Sequence, residues 1–180
     1  MIKSIVLYDN QVLRKQSRDI DVPETLKQGK QGEVKKLVDD LFETMYRADG
    51  IGLAAIQAGI DLRVFVAGIE DRFRDAFINP RILESGKKTV HYTEGCLSIP
   101  RVNALVERPD TIVLEYYDEQ LQRQEKEFSG MESRVIQHEL DHLDGVLFID
   151  HLDKMWEVMM ADQLKAVKEG KVVPNYPYIR

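Results

Sequence analysis

The sequence predicts an α+β fold in which antiparallel β-sheets surround a central helix, with a further helix toward each end of the chain. Two observations predict this class: three segments repeat apolar residues at helical spacing, and six short segments rich in β-branched and aromatic residues alternate with turn residues. The 180 residues contain no internal repeat and no linker rich in proline or glycine. We therefore expect a single domain spanning residues 1–180.

Three helices are predicted from apolar spacing. The first covers residues 33–48 and ends at Asp49 and Gly50. The second, central helix covers residues 130–143, and the third covers residues 153–169. The apolar face of the third helix, around Trp156, is expected to pack on the domain or on a second subunit. Two prolines in the tail that follows predict extended chain up to residue 180.

The predicted antiparallel strands are short and separated by turn residues. They are the segments 62–69, 76–80, 87–92, 103–107, 111–117 and 124–128. The segment GIGLAAIQAG, residues 50–59, carries three glycines. It is too irregular for a strand and too rich in glycine for a stable helix, so we predict a shaped loop there.

Composition and charge argue against several classes of partner. The chain has 25 basic and 31 acidic residues, so its net charge of −6 offers no broad attraction to nucleic acid or anionic lipid. No apolar run approaches the roughly 20 residues that span a bilayer, and the apolar run near the start is too short for a secretory signal. We expect a cytoplasmic protein that binds neither nucleic acid nor membrane.

The segment QHELDH, residues 137–142, points to a metal site. His138 and His142 are four residues apart, so on a helix both imidazoles project from one face and can reach one ion. In such an HExxH pattern Glu139 lies beside the water that the metal activates and can accept its proton. The alternative is an ordinary amphipathic helix whose polar residues face solvent.

A catalytic zinc-type site needs a third protein ligand and one open position. The metzincin pattern would place that ligand at Phe148, which cannot bind metal. His151, Glu157 and Glu169 remain possible, although such residues more often belong to a solvated face. The single cysteine, Cys96, would complete a Cys/His/His set, although a lone cysteine is more often a small buried hydrophobe.

Three segments together resemble the signature motifs of the peptide deformylases. They are GIGLAAIQ at residues 50–57, EGCLSIP at 94–100 and QHELDH at 137–142, in the family's order and at its usual separations. The resemblance covers roughly residues 1–152, whereas the helix and tail of residues 153–180 match no pattern. It implies a metal-dependent hydrolase that removes the formyl group from the N-terminal formyl-methionine of new proteins and releases formate.

The resemblance also implies roles for individual residues. The implied metal ligands are Cys96, His138 and His142. Glu139 would act as general base toward the attacking water and then as general acid toward the leaving amine. The side-chain amide of Gln57 and the backbone N–H of Leu97 would stabilise the oxyanion.

The implied substrate-binding residues surround this set. They are Gly50, Ile51, Gly52, Tyr92, Glu94, Gly95, Met131 and Val135. Glycines 50 and 52 would let the substrate backbone approach closely. Arg134 departs from the apolar pattern expected beside this pocket, so it is predicted to line the pocket rim or to face water.

The identity of the metal depends on which argument is followed. The affinity order places zinc above ferrous iron at a Cys/His/His site. The resemblance implies one Fe(II) per chain in the cell, with nickel, cobalt or zinc possible in purified material. We follow the resemblance.

Partners are predicted from the same resemblance. The implied partners are N-formyl-methionyl nascent peptides, with a transient ribosome contact possible. In some deformylases a basic C-terminal helix meets the ribosome, whereas residues 153–171 here balance four lysines against four acidic residues.

Two other functions stay open at this stage. A metallopeptidase with the same HExxH chemistry would cut unformylated peptides. A non-catalytic binding module would be expected to lack Glu139, Gln57 or a ligand, and the sequence retains all of them.

Overall fold

The computed structural model describes residues 1–69 and 72–180, and it confirms the predicted α+β class. The helices are α1 (Val22–Lys27), α2 (Gln31–Arg47), α3 (Gly130–Leu143) and α4 (Lys154–Lys168). Short 3-10 helices occupy Gln11–Arg14, Ala55–Ala58 and Phe148–His151. The three long helices match the three predicted from apolar spacing to within two residues at each end.

The strands form one main sheet and two smaller ones. They are β1 (Ile5–Val6), β2 (Gly52–Ala54), β3 (Val64–Ile69), β4 (Phe73–Ser85), β5 (Thr89–Cys96), β6 (Ile99–Pro109), β7 (Thr111–Tyr117), β8 (Arg123–Ser129) and β9 (Tyr178–Ile179). The main sheet is antiparallel, in the order β2-β3-β4-β7-β8. The antiparallel pair β5-β6 and the parallel pair β1-β9 complete the described part.

The main sheet is covered on both faces, because β3 buries alternate residues against different helices. Val64 and Val66 join the apolar face of α2 in one core cluster. Phe65 and Ala67 join Val135 and other apolar residues of α3 in a second cluster. Successive residues of a strand point to opposite faces of its sheet. The helices α2 and α3 therefore lie on opposite sides of the main sheet.

The prediction of a shaped loop for residues 50–59 is wrong for residues 52–54. Gly52–Ala54 form β2 and pair with Ala67, Val66 and Phe65 of β3, and a 3-10 helix follows at Ala55–Ala58. All three β2 residues are buried, so the segment lacks the alternation by which a half-buried strand is recognised. Strand β2 forms because it pairs with β3, and this pairing between segments separated in the sequence leaves no local pattern.

The C-terminal segment packs on the rest of the described chain. Met160 and Val167 of α4 are buried in a third cluster with Val102 and Val106 of β6, and Trp156 packs against it. The predicted extended tail ends in β9, whose partner is β1. Among the described helices, none combines the length and apolar character needed to cross a membrane.

Candidate metal and substrate site

The hairpin β5-β6 places Cys96 at the end of a strand. Leu97 and Ser98 form the turn, and Cys96 lies opposite Ile99 after a register shift that follows Gly95. A Cβ atom on Gly95 would lie 2.4 Å from Asn103 Oδ1 across the hairpin, so a larger residue would require the Asn103 side chain to move. The glycine before the cysteine thus has a structural reason within the hairpin.

Helix α3 brings the two histidines to the cysteine. The rings of His138 and His142 have centroids 5.0 Å apart and planes at 81°. Together with Cys96 they offer three ligand atoms that all lie within 4.8 Å of one another. The Cys96 Sγ and His142 Nε2 atoms are 3.2 Å apart. A thiolate and two imidazoles at this separation fit the donor set of one divalent transition metal.

The charge state of Cys96 suits metal binding. Burial alone would raise the pKa of this thiol, but the neighbouring His142 and His138 imidazoles outweigh burial and lower its pKa to about 5. Because the thiolate is the form that ligates metal, these surroundings favour the ligating form near neutral pH.

Glu139 is buried beside the Cys96, His138 and His142 side chains. Its Oε2 atom has no hydrogen-bond partner among the described residues. Burial raises the pKa of Glu139 to about 7, against the lowering effect of the two histidines. A Cβ atom on Gly52 would lie 2.3 Å from Glu139 Oε1, so β2 leaves this carboxylate just enough space. A carboxyl group with a pKa near the working pH is well suited to proton transfer.

The buried side chain of Glu94, unlike that of Glu139, is fully paired with neighbouring side chains. Its Oε2 atom lies 2.9 Å from His138 Nδ1 and accepts a hydrogen bond from Arg108 Nη2 at 3.0 Å. Its Oε1 atom accepts from Arg108 Nε at 2.7 Å and from Arg134 Nη1 at 2.8 Å. Burial alone would raise the pKa of Glu94, but the hydrogen bonds with His138 and Arg108 hold that pKa well below its usual range. Glu94 thereby fixes the ring orientation of His138.

Arg134 is buried, so the prediction that it faces water is wrong, and it lines the same cavity as Met131 and Val135. The side chain is buried and donates to the carbonyl oxygens of Val106 and Val90 as well as to Glu94. Its guanidinium lies 5.1 Å from the centroid of the Tyr92 ring. Four acceptor or aromatic partners compensate the charge, so the arginine can occupy an otherwise apolar wall.

His151 lies apart from the ligand cluster. Its Nε2 atom is 2.7 Å from Asp141 Oδ2, and Arg108 Nη1 donates to the same oxygen at 2.7 Å. Asp141 therefore orients His151 and Arg108. Glu169 forms ion pairs with Lys171 and Lys165 on the surface, which places it with the solvated groups.

Gln57 and the turn after Cys96 form the opposite edge of the site. The Gln57 side-chain oxygen accepts from the Ala54 N–H at 2.8 Å, and this contact fixes the amide. Its Nε2 atom donates to Ser98 Oγ at 3.1 Å and lies 3.5 Å from Cys96 Sγ. Leu97 occupies the first position of the two-residue turn, where the backbone N–H has no partner across the ladder.

A cavity of about 620 Å³ connects these groups. The predicted site residues that line it are Gly50, Ile51, Gly52, Gln57, Glu94, Gly95, Cys96, Leu97, Met131, Val135, His138 and Glu139. Tyr92 and His142 are outside this lining: Tyr92 packs on Arg134, and His142 is buried behind Cys96. Four residues of the C-terminal tail, Val173 to Tyr176, also line the cavity and were not predicted.

Comparison with known proteins decides the family. The family model of the polypeptide deformylases matches residues 2–157. The chain belongs to the peptide deformylase family. A peptide deformylase of Salinibacter ruber is 38% identical over 99% of this chain and 95% of its own length. One from Chlorobium phaeovibrioides is 40% identical over 100% of this chain and 94% of its own.

Solved structures agree with this assignment. The peptide deformylase of Thermus thermophilus matches with a TM-score of 0.84 and 35% identity, over 95% of this chain and 100% of its own. The deformylase of Legionella pneumophila matches with a TM-score of 0.82 and 30% identity, over 95% of this chain and 98% of its own. Deformylases are metal-dependent hydrolases that remove the N-formyl group from nascent peptides, and the chain shares this enzymatic class.

The sequence did not predict two features around this cavity. Arg108 contacts Glu94 and Asp141 from the far strand of the hairpin, and no local pattern around it signals that role. The tail residues that line the cavity lie beyond residue 157, where the family model ends. The sequence feature that could have indicated the role of the tail is NYPYI, residues 175–179, where tyrosine and proline alternate. Such a segment favours an extended chain whose aromatic residues pack on the domain.

Proposed function

We propose that the enzyme binds one divalent metal ion through Cys96, His138 and His142 and removes the formyl group from formyl-methionyl peptides. One observation carries the proposal: three ligand atoms within 4.8 Å of one another adjoin a buried, unpaired carboxylate at the base of a cavity. When bound, a divalent ion there supplies a Lewis acid that lowers the pKa of a water ligand toward neutrality.

Glu139 moves the proton. Its free Oε2 atom, close to the ligand set and with a pKa of about 7, can accept a proton from the attacking water. The same oxygen can then donate that proton to the leaving amine, so that formate and a free N-terminus are released. Because Gly52 has no Cβ atom, the Glu139 side chain can occupy this position beside β2.

The formyl oxygen becomes negative as water attacks, and two donors are available for it. Gln57 is fixed through its own oxygen. Its Nε2 atom donates one N–H to Ser98 Oγ and directs the other toward Cys96, where the formyl oxygen would lie. Leu97 presents its backbone N–H from the turn of the hairpin. Removing one oxyanion donor typically lowers kcat by about 10²- to 10³-fold.

The methionine side chain would occupy the apolar part of the cavity. Ile51, Met131 and Val135 line it, and Ile51 and Met131 are about half exposed, so both offer apolar surface that a methionine side chain would cover. We further propose Fe(II) as the metal in the cell, nascent chains as substrate in the cytoplasm, and at most a brief ribosome contact. The balanced charge of residues 153–171 supports the last point.

The deciding experiment measures formate release from formyl-Met-Ala-Ser by protein purified without oxygen, with metal content read on the same sample. Release with about one Fe(II) per chain supports the proposal. The control peptide is unformylated Met-Ala-Ser, whose cleavage would favour the metallopeptidase. No release after loading with Fe(II), Ni(II) or Co(II) would contradict the proposal and favour a binding module.

A further inference from the structure

The tail after α4 is fixed against the body of the enzyme. Ile5 donates its N–H to the Pro177 carbonyl at 2.8 Å, and Leu7 donates to Ile179 at 2.8 Å. These bonds join β9 to β1 in parallel. Because β1 continues into Tyr8, whose N–H donates to the Ser98 carbonyl at 2.7 Å, the tail is tied to the hairpin turn through one intermediate strand.

A direct bond also joins the tail to that turn. The Tyr176 hydroxyl donates to the Leu97 carbonyl oxygen at 2.5 Å, and the Tyr176 side chain packs with Leu97 against the first core cluster. This bond restrains the planar Leu97–Ser98 peptide group. The Leu97 N–H belongs to the preceding Cys96–Leu97 peptide group, so the bond restrains that N–H by holding the two-residue turn in place. Gln57 contacts the same turn by donating a hydrogen bond from its Nε2 atom to Ser98 Oγ.

The tail residues before Tyr176 face the cavity. Val173, Pro174 and Asn175 line it beside Asp49 and Gly50. A second cavity of about 600 Å³ shares Asp49 and Asn175 with the first, so open space continues past Asn175. A peptide longer than the formyl-methionyl group needs such a path, and the exposed Asn175 side chain can pair with a peptide N–H or carbonyl there.

We infer that tail residues 173–176 belong to the active site, an inference that rests on the proposed function. Tyr176 is a positioning residue: it holds the turn from which the Leu97 N–H faces the formyl oxygen. Val173, Pro174 and Asn175 form a wall that contacts the substrate residues after the methionine. The active site therefore extends beyond the range matched by the family model, which ends at residue 157.

The positioning role is tested with Tyr176→Phe, which removes only the hydroxyl. We expect kcat to fall by about 3- to 10-fold, the size of one hydrogen bond, while KM and metal content stay constant. The matched control is Tyr178→Phe, a tyrosine on β9 outside the cavity lining. An unchanged kcat in Tyr176→Phe, or an equal loss in Tyr178→Phe, overturns the positioning role.

The wall is tested with Asn175→Ala and substrates of two lengths. KM for formyl-Met-Ala-Ser-Lys should rise by about 3- to 10-fold, whereas KM for formyl-methionine amide should stay constant. The two KM values should respond differently because only the longer substrate would reach Asn175. Equal effects on both substrates, or no effect on either, overturn the wall.

A separate measurement keeps this inference distinct from the proposed function. Hydrogen exchange at the amides of residues 96–99 should be faster in Tyr176→Phe than in Tyr178→Phe, whatever the activity of the wild type. Unchanged exchange overturns the inference. Formate release by the wild type together with unchanged exchange would leave the proposed function standing and remove only the tail from it.

Discussion

Glu94 and Glu139 are both buried glutamates, yet their surroundings give them opposite tasks. Glu94 accepts from two arginines and contacts His138, so it is held as a carboxylate. Glu139 keeps one oxygen free of any described partner, and burial raises its pKa to about 7. The first is fixed in one charge state, whereas the second can exchange a proton. The HExxH spacing distinguishes Glu139 in the sequence, but no pattern there predicts the contacts that Glu94 makes with the two arginines and His138.

Glu139→Gln tests the proton-transfer role. The amide keeps the shape but cannot accept a proton, so kcat should fall by at least about 10²-fold, within the usual contribution of general acid–base catalysis. Metal content should stay at one ion per chain, because Glu139 is outside the ligand set. Metal analysis and formate release on one sample check both parts. Loss of metal along with turnover would contradict the assigned role.

A second prediction concerns metal binding and compares His142, a proposed ligand, with His151, which lies outside the proposed ligand set. Cys96→Ala and His142→Ala should each lose bound metal, because each removes one of three converging ligand atoms. His151→Ala should retain it, since His151 contacts Asp141 and Arg108. Metal content per chain, measured after dialysis, decides between them. Metal loss in the His151 variant would show that the wrong third ligand was chosen.

Glu94→Gln should affect stability and metal affinity together. It leaves the buried Arg108 and Arg134 with reduced compensation, which typically costs about 3–5 kcal/mol of unfolding free energy. It also releases the His138 ring, and loss of such a partner usually lowers metal affinity by about 10- to 100-fold. Urea unfolding and metal titration measure the two effects. Glu107→Gln, exposed on the same hairpin, is the control and should be nearly neutral.

At the level of helices and strands, the sequence predicted what local periodicity can encode. The three long helices were found because each carries an apolar stripe that recurs every three to four residues. Strand β2 was missed because its pairing partner β3 is 10 or more residues away and its own three residues are all buried. Pairing between distant segments leaves no pattern in the local sequence. The same holds for the contact of Tyr176 in the tail with Leu97.

The close approach of β2 to α3 predicts the effect of Gly52→Ala. The added Cβ would lie 2.3 Å from Glu139 Oε1, so the carboxylate must move. A displacement of about 1 Å in a catalytic group can cost about 10²-fold in rate, and we expect a loss of that order with metal retained. Gly32→Ala in α2, with open space around it, is the control and should leave kcat unchanged. Near-normal turnover in Gly52→Ala would contradict the geometry.

Across the molecule, the three proposed metal ligands belong to parts with separate cores. Cys96 belongs to the hairpin β5-β6, which packs with α4 in the third cluster, whereas the histidines belong to α3, which packs on the main sheet in the second. A metal held by all three residues would connect these parts, as a crosslink does. Such an ion binds the folded chain in preference to the unfolded one, so it must stabilise the fold.

Removing the metal should therefore lower the melting temperature. At free metal about 100-fold above Kd the stabilisation is roughly 2.7 kcal/mol, and for a chain of this size each kcal/mol shifts Tm by about 2–4 °C. We expect chelation without oxygen to lower Tm by roughly 5–11 °C, with recovery when Fe(II) or Ni(II) is restored. Cys96→Ala is the control, because its Tm should not respond to chelator or metal. An unchanged Tm in the chelated wild type would show that no ion connects the hairpin to α3.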